Sequence, residues 1–520
     1  MPTLVLRRVP AGTLERRPHL VPALLPTGLP KDNRRQGRIA RTVLCGILAV
    51  QVLLTLRRST AVNSFEALSF TVGHAEVTEL FEGALGPLSV PALAGAPQSY
   101  PVLGAVAHFV GGIQAARTAS LICMLVATTL LCGLTTRLFN VPAGLCAASL
   151  FAVLPSTAVL GGTASPEAAG LCLLACAARS LADADRAVRS AALCTLPSAA
   201  AAALTQHWTV LCLPAVLLLA ARTGSGGRAI ARILGLGLCV AGLLGTLYGS
   251  GLRLRPVFPL AGQGDGSSLQ GADPATALLI ASAVLGAACY LVSDGRGEDS
   301  STNRLLQGYA RRAVVVLALS GAAAAPFAGA WWSGTSAYGF GPAGGLAWFA
   351  SALAGVGVTR AMGRHFSFPQ AGIAVWTVLL CLGLPQTDRW FATDPDPAHL
   401  GDVLTPYGRS TGIYMGIPAE VAAYHLRGTV RPEQWTDCAG RINAAHVSAS
   451  VDEAGTCAQA VRRGEFRLIV LDSRTRPSVQ KAVRAALHGN PHYRLLAELT
   501  SRQHADGTAV GVRYRIWVQV

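Results

Sequence analysis

The sequence predicts a polytopic α-helical membrane protein, with about eleven transmembrane helices, that ends in an extracytoplasmic α/β domain. Three observations carry this prediction. Only 13% of the 520 residues are charged while 51% are hydrophobic, and mean hydropathy is +0.43; a soluble globular domain carries about 25% charged residues. Apolar windows long enough to cross a bilayer recur from Ile39 to about Gln386. Beyond Thr387 the pattern changes to short apolar runs separated by an amphipathic stretch, as in the strands and helices of a water-soluble fold.

Taken in order, residues 1–38 are rich in Pro and Arg without a sustained apolar run, and read as a disordered cytoplasmic segment. No h-region or small-residue cleavage site follows its charges, so the span from Ile39 reads as an uncleaved signal anchor. Further spans begin near Thr118, Val141, Pro166, Ser190, His207, Ala229, Pro274, Ala313, Pro342 and Phe368. Arginine bias sets the orientation. Lys31, Arg34, Arg35, Arg38 and Arg41 precede the first span and place the N-terminus in the cytoplasm, and the later inner loops collect more Arg than the outer ones. The membrane domain is thus 39–386, its long first outer loop is 57–117, and an odd number of spans puts 387–520 outside. Within that last part, Phe466–Asp472, Tyr493–Leu499 and Val512–Val520 read as strands and Pro477–Leu487 as a helix. Strand, helix, strand suggests a Rossmann-like half unit, without the glycine-rich turn that would hold a nucleotide phosphate. A composition heavy in Ala, Gly and Arg, with Lys31 and Lys481 the only lysines, points to a high-GC bacterial source and hence to a bacterial plasma membrane.

Composition and motifs also exclude classes. The formal net charge of +16 is spread between apolar segments rather than gathered into a basic patch, and no nucleic-acid motif is present. Spans after Ser190 hold almost no ionisable residue near their centres, and no internal repeat is visible, which weakens a transporter reading. Eleven of the thirteen cysteines fall in predicted spans, as small apolar packing residues, and none has metal-ligand spacing. The other two, Cys438 and Cys457, fall in the outer domain, where an even pair reads either as a disulfide or as two buried thiols.

The first outer loop carries the chemistry. It holds Phe65-Glu66-Ala67-Leu68, then Gly95-Ala96-Pro97-Gln98-Ser99-Tyr100-Pro101, then Gly111-Gly112-Ile113-Gln114-Ala115-Ala116-Arg117. Downstream follow Leu134-Thr135-Thr136-Arg137-Leu138-Phe139 and Gly161-Gly162-Thr163-Ala164-Ser165-Pro166-Glu167-Ala168. The tail adds Glu433-Gln434-Trp435-Thr436, Asn490-Pro491-His492-Tyr493-Arg494-Leu495 and Tyr514-Arg515-Ile516-Trp517-Val518. In order and spacing this set resembles the GT-C class of membrane glycosyltransferases, specifically the protein mannosyltransferase and lipid A aminoarabinose transferase group, over nearly the whole chain.

The resemblance implies inverting transfer of a sugar from a polyprenyl-phosphate donor to a glycan, lipid or protein acceptor on the outer face of the membrane. A carboxylate at the membrane surface takes the acceptor's proton. The leaving lipid phosphate calls for Arg, Lys or a divalent cation; the sequence names no cofactor and offers no metal-ligand set. Two positions depart from the family pattern. Phe65 stands where the family has its first-loop Asp, with Glu66 adjacent, and Glu167 stands where the second acid is usually Asp. Carried over, Glu66 is the general base, Glu167 orients the acceptor or a metal, and Arg57, Arg58 and Tyr100 face the donor phosphate. Each has a plainer reading: Glu66 as a surface acid, Glu167 as a helix-start acid, the arginines as snorkelling interfacial cations, and Tyr100 as an interfacial aromatic. The missing Asp keeps a second function open, a diverged GT-C-like protein that binds lipid-linked sugar or acts as a scaffold without turnover.

Overall fold

The computed structural model describes residues 33–56, 66–67, 69–70, 73–74, 99–182, 196–198, 200–201, 208–223, 233–243, 274–292, 302–332, 340–361, 368–392, 398–408, 411–417, 419–426, 429–430, 434–436, 453–472, 477–500 and 512–520. The expected disordered segment lies outside these apart from residues 33–38, which already belong to the first helix.

The first three quarters of the chain form a helical bundle: α1 (Asn33–Leu56), α2 (Ser99–Leu138), α3 (Val141–Ala152), α4 (Pro155–Gly162), α5 (Pro166–Ala182), α6 (Trp208–Leu217), α7 (Ile233–Leu243), α8 (Pro274–Val292), α9 (Thr302–Trp332), α10 (Phe340–Ala361) and α11 (Phe368–Ala392). Helices therefore stand at ten of the eleven expected span positions. At the eleventh, near Ser190, residues 196–198 and 200–201 are helical. By length and composition five of the described helices can cross a bilayer, or six if α3 and α4, bent by 66° at their junction, count as one broken span.

Local sequence explains the breaks. Asn140 caps α3, its Oδ1 accepting from Ala143 N at 2.8 Å, and Pro142 sits in the first turn, where its missing N–H costs nothing. Pro155 restarts the chain as α4. Within α2 the helix is interrupted at Gly112 (φ 66°, ψ −164°), a conformation essentially confined to glycine. The Gly-Gly motif is thus a joint between a segment at 99–110 and the long helix that follows. Before the joint, Ala105 and His108 are buried while Leu103, Val106, Phe109 and Val110 are exposed, so the segment is amphipathic.

Close packing among small residues holds the bundle. Helices α8 and α10 meet at Gly286 and Gly357, where a Cβ on either would run into the other's backbone. Trp348 is fully buried and donates its indole N–H to Ala127 O at 2.9 Å, while Thr128 donates to Gln51 Oε1 at 2.8 Å and ties α2 to α1.

The remaining chain adds α12 (Ala398–Leu404), β1 (Ile413–Ile417), α13 (Ala419–Leu426), β2 (Trp435–Thr436), α14 (Glu453–Arg462), β3 (Phe466–Asp472), α15 (Pro477–Leu487), β4 (Tyr493–Thr500) and β5 (Val512–Gln519). The three expected strands and the expected helix are all present. The expected Rossmann-like half unit is not formed by them. The sheet runs β2-β1-β3-β5-β4, and β5 inserts antiparallel between β3 and β4. Parallel pairing belongs instead to β1 with β2 and with β3. One sheet face buries Tyr414, Leu468, Val470, Tyr514 and Ile516 against α12 and α13. The other buries Met415, Ile469 and Leu471 against α14 and α15.

Candidate functional site

Glu66 sits at the meeting point of three sequence motifs. Its side chain is fully buried, and Arg117, on α2 just past the Gly112 joint, grips it at both oxygens: Nε to Oε1 at 3.0 Å and Nη2 to Oε2 at 2.8 Å. The backbone N–H of Ala164, in the turn between α4 and α5, donates to Oε1 at 2.6 Å. One residue further, Ser165 N–H donates to Ser120 Oγ on α2 at 3.4 Å. A bidentate guanidinium–carboxylate pair is among the strongest and most directional polar contacts, so the three segments are fixed relative to one another by one carboxylate.

This placement changes the role expected of Glu66. Both oxygens are engaged by charged or backbone donors, and the group lacks exposed surface on which an acceptor hydroxyl could approach. In this structure Glu66 thus forms a buried ion pair with Arg117. Arg117, which the sequence reading treats only as an orientation charge at the end of a motif, is its partner.

Glu167 lies three residues beyond the Ala164 contact, in the first turn of α5 and next to Pro166. It is partly exposed, unlike its buried neighbours Pro166 and Ala168. The helix N-terminus favours its negative charge. The clamp at Ala164 and Ser165 therefore determines where this acid stands.

Around the clamp a cluster of rings joins the bundle to the α/β domain. His108 Nε2 and Tyr424 Oη are 3.0 Å apart, Phe70 stacks at 4.8 Å from the His108 ring, and His74 meets His108 edge-on at 5.3 Å. Phe70 also packs with Ala116 and Ala164, while Ala67 belongs to the domain core beside Leu400 and Tyr414. The helical residues 66–67 and 69–70 thus have Phe70 committed to the bundle and Ala67 to the domain.

Several expected residues fall elsewhere. Arg57, Arg58, Phe65 and Cys438 lie outside the described residues. Tyr100 is in the first turn of α2, and its side chain lies outside what is described. Cys457 is disulfide-bonded and buried beside Met415. Among the described residues no three His, Cys, Asp or Glu side chains gather as a metal-ligand group.

No protein-family model matches the sequence, and no curated protein matches it. Solved structures match the fold. Apo ArnT from Cupriavidus metallidurans superposes with a TM-score of 0.58 at 12% identity, covering 94% of this chain and 98% of that one. The same protein bound to undecaprenyl phosphate gives 0.55 at 11% identity, over 93% and 98%. At this identity the likeness speaks to fold. The chain has the GT-C fold that its motifs resemble, over nearly its full length.

Proposed function

We propose that this protein is a multi-pass membrane glycosyltransferase that moves a sugar from a polyprenyl-phosphate donor to an acceptor on the outer face of a bacterial plasma membrane. The eleven-span arrangement and the 39–386 and 387–520 division belong to this reading. The observation that carries it is the convergence on Glu66 of the first-loop, Gly-Gly and pre-α5 motifs, within the fold of a protein that binds undecaprenyl phosphate.

In the proposed reaction the acceptor hydroxyl attacks the anomeric carbon, the bond from that carbon to the phosphate oxygen breaks, and polyprenyl phosphate leaves. The hydroxyl proton passes to Glu167, the partly exposed acid next to the clamp. Glu66 acts through Arg117 and Ala164 as a positioning residue. Arg57, Arg58 and Tyr100 remain the proposed donors to the leaving phosphate, and Cys438 the proposed partner of Cys457. The donor sugar and the acceptor class follow the carrier chemistry alone: a lipid-linked sugar, and a glycan, lipid or protein hydroxyl.

One observation favours a second reading. With Phe65 at the usual Asp position and Glu66 locked, a protein that binds lipid-linked sugar without turnover satisfies the same geometry. The test is release of free polyprenyl phosphate from radiolabelled polyprenyl-phosphate sugars by the purified protein. Release that is abolished by Glu167→Gln supports the transferase. Binding without release, across a donor panel with acceptors present, supports the second reading.

A further inference from the structure

The α/β domain has a cavity away from the motif junction. It measures about 450 Å³, within the usual range of small-molecule pockets, about 300–1,000 Å³. It lies where the C-terminal turn of α15 overhangs β4 and β5. Arg484 and His488 line it from the helix side, Arg515 and Trp517 from β5, and Tyr493 and Leu495 from β4.

Two features give this cavity a ligand chemistry. The first is charge. Arg484 donates through Nη2 to Gln480 Oε1 at 2.8 Å, which fixes the guanidinium, yet its Nε is a buried donor without an acceptor among the described residues. Arg515 has a partner of its own, its Nε lying 2.8 Å from Glu498 Oε1 across the strands. Burial, and then the nearby Arg515 guanidinium, press the Arg484 pKa below that of an ordinary arginine, as expected of like charges sharing a cavity. Glu498 neutralises one of the two cations and leaves the other, with His488 beside it. A buried donor without an acceptor is costly and rare in native structures, and an anion at Arg484 would satisfy it.

The second feature is the wall. Trp517 is partly exposed and presents an indole, and Leu495 is 46% exposed beside it. A flat aromatic next to fixed guanidinium donors suits a ring with apolar C–H faces and an acidic substituent. The cavity opens on the α14–α15 side of the sheet, opposite the side whose core includes Ala67 and which joins the bundle.

We propose that this cavity binds an acidic saccharide, a pyranose bearing a carboxylate or phosphate, with Arg484 holding the anion and Trp517 stacking on the ring. Its biological sense rests on the transferase reading, in which the site would tether an anionic acceptor polymer. Binding itself requires no transfer.

The test uses the full chain in lipid nanodiscs without donor, and titrates by calorimetry a uronic-acid trisaccharide, the neutral trisaccharide of the same linkage, and inorganic phosphate. The expected result is binding of the uronate alone, weakened at least about tenfold by Arg484→Gln, the loss of one charge-assisted contact, and by Trp517→Ala. Should Trp517→Ala misfold, Trp517→Phe is expected to keep binding. Equal binding of the neutral sugar, equal binding of phosphate alone, or an unchanged affinity in Arg484→Gln would overturn the proposal. Polyprenyl-phosphate release, measured in the same preparations, separates the two readings: binding without release removes the transferase, and release without binding removes this site.

Discussion

Arg117 and Glu66 decide more than any other pair of side chains in this molecule, because both are buried and each is the other's counter-ion. Breaking a buried pair from one side leaves an uncompensated charge and costs about 3–5 kcal/mol, whereas replacing both partners with apolar groups is often neutral. Glu66→Gln is therefore expected to lower the melting temperature in detergent sharply, and Glu66→Leu with Arg117→Met to recover most of the loss. A double-mutant cycle on thermal melts checks this, and additive effects would mean that the two groups are not coupled. Glu167→Gln separates chemistry from structure. Melting is expected to be unchanged while polyprenyl phosphate release falls by about two orders of magnitude or more, the usual contribution of a general base. The sequence made both acids visible, since each stands at a motif position. It could not show that one is consumed by a salt bridge, because the partners are 51 and 98 residues away along the chain and nothing local encodes the contact.

Elements were easier to read than contacts, and the Gly111-Gly112 motif shows why. A pair of glycines before a helical run marks a place where the backbone needs freedom, and the structure uses it as the joint that turns α2 toward Arg117. Gly112→Ala forces a Cβ into a region that glycine alone occupies, at a cost of about 1–3 kcal/mol. The Cβ itself meets no neighbour, so strain rather than collision is the cause. The expected outcome is a modest fall in melting temperature with a larger fall in donor turnover, as the 99–110 segment loses its angle. In the α/β domain, strand and helix periodicity located β3, α15, β4 and β5. Sheet order stayed hidden, since the insertion of β5 between β3 and β4 is a matter of register between distant segments. Tyr493, at the start of β4, accepts a hydrogen bond from Phe466 N–H, and burial pushes its pKa up to about 12. The folded state thus prefers the neutral phenol, and its contribution is intact below pH 10 and lost as pH rises from 10 to about 12. Domain melting followed by near-ultraviolet circular dichroism is expected to fall over that window, and Tyr493→Phe to flatten the slope.

At the scale of the whole molecule, an aromatic cluster among the described residues links bundle and domain. Phe70 and His108 come from the bundle side and Tyr424 from α13, with the His108–Tyr424 hydrogen bond at 3.0 Å and ring separations of 4.8–6.1 Å between them. His108 stands in an apolar stretch, and its partner 316 residues away was beyond any local pattern. Because Phe70 also packs on Ala116 and Ala164, the same contact braces the clamp that positions Glu167. Tyr424→Phe removes one hydrogen bond and keeps the ring, which should cost about 1 kcal/mol and leave both cores folded. Its effect belongs at the junction: amide exchange is expected to rise at residues 66–74 and in α13, with little change in α8, α10 or β3. Tyr424→Ala, which also empties the space against Phe70, should extend the loss to the 163–166 turn and reduce turnover without abolishing it. Faster exchange spread evenly over the domain would instead mean that Tyr424 serves the domain's own stability. Loss of protection confined to the junction would make the two halves separately stable bodies.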